Sequence, residues 1–219
     1  MLLINILSLI FIYHIFINIS KTQLSIKDNI VLFQVYRSFI CFIISICSSY
    51  ICYYNWDNLD INPIYYTNKQ IKNTNIFALS FFCSDLINMI IHNNKRVSLW
   101  IHHLICILVF YTHCVYFNNS SIIFTWLLLA EYMSLASGVD ALAKYYNKRK
   151  ILFWTKLYRC LIILLVRFPI WLKLMSLGLR NETIYPSGKL SCILGSLCMI
   201  ILDIYWFRLC LRFFKKSFS

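Results

Sequence analysis

Long apolar runs separated by short polar segments make up almost the whole chain. The runs cover roughly residues 1–19, 31–52, 74–92, 100–117, 120–138, 155–176 and 190–211. A helix needs about 20 such residues to cross a hydrocarbon core roughly 30 Å thick. None of the runs alternates between apolar and polar positions, so their backbone groups can be satisfied in lipid only within helices. The pattern therefore predicts an all-α polytopic membrane protein with about seven transmembrane helices.

The composition supports one membrane domain. Apolar residues make up 60% of the chain and charged residues only 13%, whereas charged residues are about a quarter of a soluble domain. No linker-like or low-complexity stretch divides the chain. We therefore expect an N-terminal transmembrane helix in residues 1–26, followed by one domain over 27–219 that ends in a short basic cytosolic tail.

The net charge of +13 follows membrane topology rather than a nucleic-acid surface. If the N-terminus is lumenal, eleven lysines and arginines fall in cytosolic segments and four in lumenal loops. This excess is the positive-inside bias of multipass proteins. It predicts a lumenal N-terminus and a cytosolic C-terminus, and it gives no reason to expect a nucleic-acid partner. The cytosolic residues are Lys21, Lys27, Lys95, Arg96, Lys144, Lys148, Arg149, Lys150, Arg212, Lys215 and Lys216; the lumenal ones are Lys69, Lys72, Arg180 and Lys189.

The ten cysteines do not indicate a metal site. They are scattered singly and form no Cys-x-x-Cys pair, the spacing typical of zinc or thioredoxin-type sites. Most lie inside apolar runs, where free cysteine behaves as a small apolar residue. We therefore expect no metal and no cofactor.

Ionisable side chains at membrane depth are the best pointer to function. Each costs about 2.5–3.5 kcal/mol even on lenient insertion scales, so they are rarely placed there without a use. His102 and His103 begin the fourth run, and Glu131 lies in the fifth. An imidazole with its ordinary pKa of about 6.5 is a poor structural ion pair but a good general base. Adjacent helical residues point about 100° apart, so the sequence leaves open which histidine faces a cavity.

Other polar residues in the runs allow a purely structural interpretation. Arg37, Asp85 and Asp203 are more simply explained as ion pairs, arginine with aspartate, that hold the helices together. Glu131, Ser134 and Gly138 form an i, i+3, i+7 stripe. Such a stripe suits either a helix contact or a cavity wall.

Five segments, in order, resemble those of a known family. The segments are Phe-Phe-Cys-Ser-Asp-Leu-Ile-Asn-Met-Ile-Ile-His at 81–92, Ile-His-His-Leu-Ile at 101–105, Glu-x-x-Ser at 131–134, Val-Arg-Phe-Pro at 166–169 and Ile-Tyr-Trp-Phe at 204–207. By these segments the chain is similar, from about Arg37 to Phe214, to the TLC-domain family, named for translocation-associated, longevity-assurance (ceramide synthase) and neuronal-ceroid proteins.

The resemblance implies an endoplasmic-reticulum protein that handles long-chain lipids. It implies six helices around a central cavity and an extra N-terminal helix, with residues 27–219 as the TLC domain. His102 and His103 would match the paired reaction-centre histidines of ceramide synthases, as base or acyl acceptor. Glu131 and Asp85 are candidate orienting carboxylates. The candidate cavity or lipid-binding residues are His92, Ser134, Arg167 and Asp203.

One departure from ceramide synthases decides between two functions. Those enzymes carry a His-Asp pair followed by a further Asp, where this chain has Ala130, Glu131 and Ser134. The Glu-x-x-Ser form resembles the smaller TLC-domain proteins. We therefore predict a role in membrane lipid homeostasis, by binding long-chain acyl lipids in an intramembrane cavity. The alternative is a ceramide synthase, an acyl-CoA-dependent sphingoid-base N-acyltransferase that uses His102 and His103, with acyl-CoA as co-substrate.

The expected partners are membrane lipids, through their acyl chains and, for the enzyme, sphingoid bases. A homodimer is left open. A di-iron hydroxylase is disfavoured, because the histidines form no His-x-x-His-His repeats. A seven-helix receptor has only the helix count in its favour, and fold does not confer function.

Overall fold

The computed structural model describes residues 1–24, 26–61, 63–118, 120–180 and 186–218. These residues form no strand, and seven of their helices are long and apolar enough to cross a membrane. The predicted all-α fold with seven spans is thus confirmed. The helices are α1 (Leu2–Gln23), α2 (Asn29–Tyr54), α3 (Lys69–Ile91), α4 (Val97–Tyr116), α5 (Ile122–Tyr145), α6 (Arg149–Arg180) and α7 (Pro186–Lys216). A short helix, Trp56–Ile61, lies between α2 and α3.

Most helices extend beyond the apolar runs that predicted them. Two begin at side-chain caps: the Asp28 carboxylate accepts from the backbone N–H of Ile30 at 2.8 Å, and Asn68 accepts from that of Ile71 at 2.9 Å. Such caps satisfy N–H groups that the first turn leaves unpaired. α6 begins at Arg149, six residues before the predicted run. Long basic side chains can keep their charge in water while the backbone continues as helix.

Six helices form a closed ring, and α1 packs outside it. Around the ring the order is α2, α5, α6, α7, α4 and α3, with α3 returning to α2. α1 packs mainly against α3 and also touches α2. This is the predicted arrangement of six helices and one additional N-terminal helix.

α2 and α5 approach each other closely at Gly138. A Cβ atom added there would lie 2.6 Å from Ser38 Cβ and 3.3 Å from the Gln34 carbonyl oxygen. Beside this point the Ser38 hydroxyl donates to the Leu135 carbonyl at 2.9 Å. Small residues at such contacts let helix backbones come together in lipid. The stripe predicted from Glu131, Ser134 and Gly138 therefore serves a helix contact at its Gly138 end.

Gly138→Ala is expected to lower the free energy of unfolding by about 1–3 kcal/mol, as overpacked cores do. The new methyl group has no room unless α2 and α5 separate, and this outweighs the better helix propensity of alanine. Thermal unfolding in detergent measures the effect. Ser38→Gly removes the clashing atoms, so Gly138→Ala should cost clearly less stability in the Ser38→Gly background than in wild type; an equal cost in both backgrounds would contradict this account.

Candidate functional site

A buried histidine–carboxylate pair lies inside the ring. His102 Nε2 on α4 is 3.2 Å from Glu131 Oε1 on α5, and both side chains are largely buried. The other carboxylate oxygen, Oε2, accepts from Ser134 Oγ at 2.8 Å and from Cys41 Sγ at 3.3 Å. Both oxygens are therefore held, and the imidazole has a fixed partner. A carboxylate held in this way can orient an imidazole for proton transfer.

Local irregularities in the helices accompany this pair. Residues Leu128–Glu131 form a turn of 3-10 helix within α5, after which regular α-helix resumes. Ser134 is then one turn beyond Glu131, within reach of its carboxylate. α6 contains a π-helical turn, Ile163–Arg167, that ends at Arg167. Such turns inside long helices change the direction of the side chains that follow and are frequent at functional sites.

His103 has a separate partner. Its Nε2 lies 2.9 Å from Asp85 Oδ2 on α3, and both residues are only 1% exposed. The Phe82 ring packs against both histidines, with centroid distances of 6.1 Å to His102 and 5.6 Å to His103. The two imidazoles thus face different carboxylates, as their angular separation requires. Both candidate orienting carboxylates have a histidine beside them.

Arg167 and Asp203 form an ion pair between α6 and α7. Arg167 Nε donates to Asp203 Oδ1 at 2.7 Å, and Trp171 Nε1 donates to Oδ2 at 2.8 Å. Arg167 Nη1 also donates to the Ala130 carbonyl at 2.8 Å, next to Glu131. The guanidinium lies 5.5 Å from the centre of the Trp171 ring and 5.4 Å from that of Trp206. This is the arginine–aspartate pairing that the structural interpretation anticipated for Asp203.

His92 is remote from these pairs. It lies at the C-terminal end of α3, where its Nε2 hydrogen-bonds the Tyr13 hydroxyl of α1. Its ring also contacts Phe33 of α2. Burial, with the nearby His14 and Lys21, lowers the pKa of His92 from its ordinary value. The structure thus places His92 in the packing of α1 on the ring, away from the other predicted site residues.

Three spaces lie within the ring near the His102–Glu131 pair, and two of them share lining residues. The arginine pocket, of about 70 Å³, is lined by Arg37, Arg96, Ser98, Leu99, His102, Met133, Ser134, Ser137, Arg159, Arg167 and Trp206. The chamber, of about 940 Å³, shares five of these residues, Arg96, Ser98, Ser137, Arg159 and Trp206. On the other side of Glu131 lies an apolar crevice of about 20 Å³, bounded by Phe82, Cys106, Phe110, Leu128, Trp171 and Met199 among others. His102 lines the arginine pocket. His103, by contrast, does not line any of these three spaces as the structure describes them.

The chamber has two chemically different walls. Cationic side chains come from the α3–α4 connection and from α5 and α6, namely Lys95, Arg96, Lys144, Lys156 and Arg159. α7 supplies an apolar and aromatic wall of Ile201, Leu202, Tyr205, Trp206, Leu209 and Phe213. The lining also includes Asp140, which pairs with Lys156 and Arg159, so the described part of this wall keeps a net positive charge. All five cations come from the end of the ring at which α3, α5 and α7 finish.

Two cysteines that were expected to act only as small apolar residues lie in the site. Cys41 contacts Glu131, and Cys106 Sγ lies 3.8 Å from His102 Nδ1. Cys41 follows Arg37 by four residues and Cys106 follows His102 by four, so one-turn spacing was the available signal. Donor atoms of His102, Cys106 and Glu131 all lie within 4.8 Å of one another, which makes these three the described residues best placed to hold a metal ion.

One comparison with known proteins gives a match. The family model for the TLC domain matches residues 26–212, which is most of the chain and includes all six ring helices except the last four residues of α7. No curated protein and no solved structure gives a significant match.

Proposed function

Because this chain belongs to the TLC-domain family, we propose that it acts in membrane lipid homeostasis by holding an amphipathic, long-chain lipid inside its helix ring. The five resembling segments lie within the matched residues 26–212. The observation that carries the proposal is the chamber of about 940 Å³ with its cationic and apolar walls, which shares five lining residues with the arginine pocket beside His102. Ligand sites are commonly 300–1,000 Å³ in volume.

The chamber is large enough for a headgroup and the first part of a chain. The apolar crevice beyond Glu131 has room for little more than one water-sized group, about 20 Å³. A long acyl chain would therefore lie along the α7 wall of the chamber rather than in the crevice. The Glu-x-x-Ser sequence at 131–134 supports a place among the smaller TLC-domain proteins rather than among ceramide synthases.

Filling the chamber tests this proposal. Ser137 on α5 lines both the chamber and the arginine pocket, so Ser137→Trp should exclude the lipid. Val139, two residues further along α5, is exposed on the outside of the helix, and Val139→Trp is the matched control. We expect native mass spectrometry of the purified proteins to show at least about tenfold less retained lipid for Ser137→Trp and an unchanged amount for Val139→Trp. Equal lipid retention by wild type and Ser137→Trp would refute the proposal.

A second function, N-acylation of a sphingoid base from acyl-CoA, is favoured by the His102–Glu131 pair. With Nε2 donating to Glu131, Nδ1 keeps the lone pair that can accept a proton. The sphingoid amine would attack the thioester carbonyl, His102 would take the proton from the amine nitrogen, and coenzyme A would leave as its thiol after receiving that proton. His103 would position the neighbouring helix through Asp85.

Microsomes from a host without its own ceramide synthases test turnover directly. Long-chain acyl-CoA and sphingoid base are added, and mass spectrometry detects the N-acylated product. We expect that any product disappears in His102→Ala, because His102, unlike His103, lines the arginine pocket. His103→Ala keeps part of the activity if the protein still inserts. Absence of product from a well-expressed wild type would leave lipid binding without turnover as the function.

The proposed location is the endoplasmic reticulum, with a lumenal N-terminus. The lysines and arginines of the chamber support this orientation. They lie at the end of the ring where α3, α5 and α7 finish, and the positive-inside rule places that end in the cytosol. Glycosylation mapping with acceptor sites added before Leu2 and after α7 would test the orientation. Glycosylation of the C-terminal site would show that the C-terminus is lumenal and would contradict the proposed orientation.

A further inference from the structure

The arginine pocket gathers four guanidinium groups in a small space. Arg37 comes from α2, Arg96 from the residue before α4, and Arg159 and Arg167 from α6. His102, the serines at 98, 134 and 137 and the indole of Trp206 add further polar groups. Four like charges in one pocket repel each other unless anions lie between them.

Among the residues that the structure describes, carboxylates neutralise two of the four. Arg167 pairs with Asp203, and Arg159 Nη2 lies 2.9 Å from Asp140 Oδ2, an oxygen that it shares with Lys156. Arg37 and Arg96 have no ion-pair partner among the residues that the structure describes. Burial, together with Arg37 and Arg159, lowers the pKa of Arg96 from its ordinary value. The pocket therefore has an excess of positive charge.

Several buried donors of this pocket also lack a hydrogen-bond partner in the described chain. They are Arg37 Nη1, Arg159 Nε and Arg167 Nη2. Arg37 is 6% exposed and Arg167 only 1%. Buried polar atoms are nearly always paired, and each exception calls for an explanation such as a bound ion or ligand. Three of the four guanidinium groups that line the pocket therefore have hydrogen-bonding capacity that the described chain does not use.

We propose that the arginine pocket binds a phosphate group. Its volume of about 70 Å³ is roughly five times the ~10–15 Å³ that one water needs, which suits the five heavy atoms of a phosphate. Guanidinium groups bind phosphate with paired, charge-assisted hydrogen bonds and are preferred over lysine where geometry matters. The phosphate can belong to a phospholipid headgroup that enters from the chamber or to a soluble phosphorylated molecule. The lipid source rests on the function proposed above, whereas phosphate binding itself does not.

Arg37 is the best residue for a test, because it has no ion-pair partner in the described chain that its replacement would leave unpaired. Removing a buried charge that lacks a counter-charge does not create another unpaired ion. Arg37→Met should therefore fold at least as well as wild type in the absence of ligand. The matched control is Arg212→Met, on α7 outside this pocket.

The experiment uses the full chain in dodecyl maltoside micelles, which supply no phosphate of their own. One arm measures binding of inorganic pyrophosphate by calorimetry, and the other measures binding of phosphatidic acid by native mass spectrometry. We expect at least one arm to show binding that Arg37→Met weakens tenfold or more and that Arg212→Met changes less than twofold. The arm that responds identifies the source of the phosphate.

Two outcomes would overturn the inference. One is absence of binding by wild type in both arms. The other is binding that Arg37→Met leaves unchanged, and a fall in the melting temperature of that variant would then make Arg37 a structural residue. Pyrophosphate binding without lipid retention would support the phosphate site while counting against the lipid-holding function, so the two failures are distinguishable.

Discussion

Asp203→Leu is expected to destabilise the protein by about 3–5 kcal/mol, the usual cost of removing one member of a buried ion pair. Arg167 is 1% exposed and Asp203 fully buried, so the guanidinium would lose its counter-charge without gaining water. The Trp171 N–H would lose its acceptor as well. Thermal or denaturant unfolding in detergent measures the loss, and a lower yield of inserted protein should accompany it.

The double variant Arg167→Met/Asp203→Leu separates the charge from the packing. Two apolar residues of similar size often replace a buried ion pair at little cost. We therefore expect the double variant to regain most of the stability that Asp203→Leu loses. If both variants unfold at the same temperature, the shape of these side chains matters more than their charge.

Glu131→Gln is expected to reduce any acyl-transfer rate by about 10²–10⁴-fold, the contribution typical of general acid–base catalysis. Glutamine keeps the size of the side chain and can still accept a hydrogen bond from His102 or Ser134. It cannot stabilise the imidazolium that forms when His102 accepts a proton. Product formation in the microsome assay measures the rate, and detergent unfolding shows whether the fold is kept.

Ser134→Ala provides the graded comparison. It removes the hydroxyl that donates to Glu131 Oε2 at 2.8 Å but leaves the charge and the contact with His102. A reduction of about tenfold would follow from the loss of one orienting hydrogen bond. If Glu131→Gln kept the wild-type rate, Glu131 would be a structural partner of His102 and not part of proton transfer.

The sequence predicted the helices well, because membrane spans follow directly from hydropathy. It predicted their ends less well. The apolar run at 155–176 became the helix Arg149–Arg180, since basic side chains that end an apolar run do not end the helix. The six-helix ring came from the family resemblance, and its order around the circle depends on contacts that no local pattern records.

The sequence also identified the ionisable residues of the site but not their pairing. Predicting that His102 pairs with Glu131, and His103 with Asp85, requires knowing how α3, α4 and α5 are rotated about their axes. The 3-10 turn at Leu128–Glu131 changes that rotation within α5. Arg37 was expected to pair with an aspartate, yet it has no ion-pair partner in the described chain. The packing of helices that are distant in sequence determines which cation stays unpaired, and residue spacing within one helix does not predict that packing.

The order of the ring has a consequence for biogenesis. α4 packs against α3 and α7, while α6 packs against α5 and α7, so α7, the last of the six ring helices in the chain, closes the ring. Before α7 is inserted, Arg167 has no Asp203 to pair with, and the polar interior is open to lipid between α4 and α6. Insertion of α7 is thus the step that completes the ring. A nascent chain halted before it would expose an unpaired arginine in the bilayer, the kind of feature that marks membrane proteins for degradation.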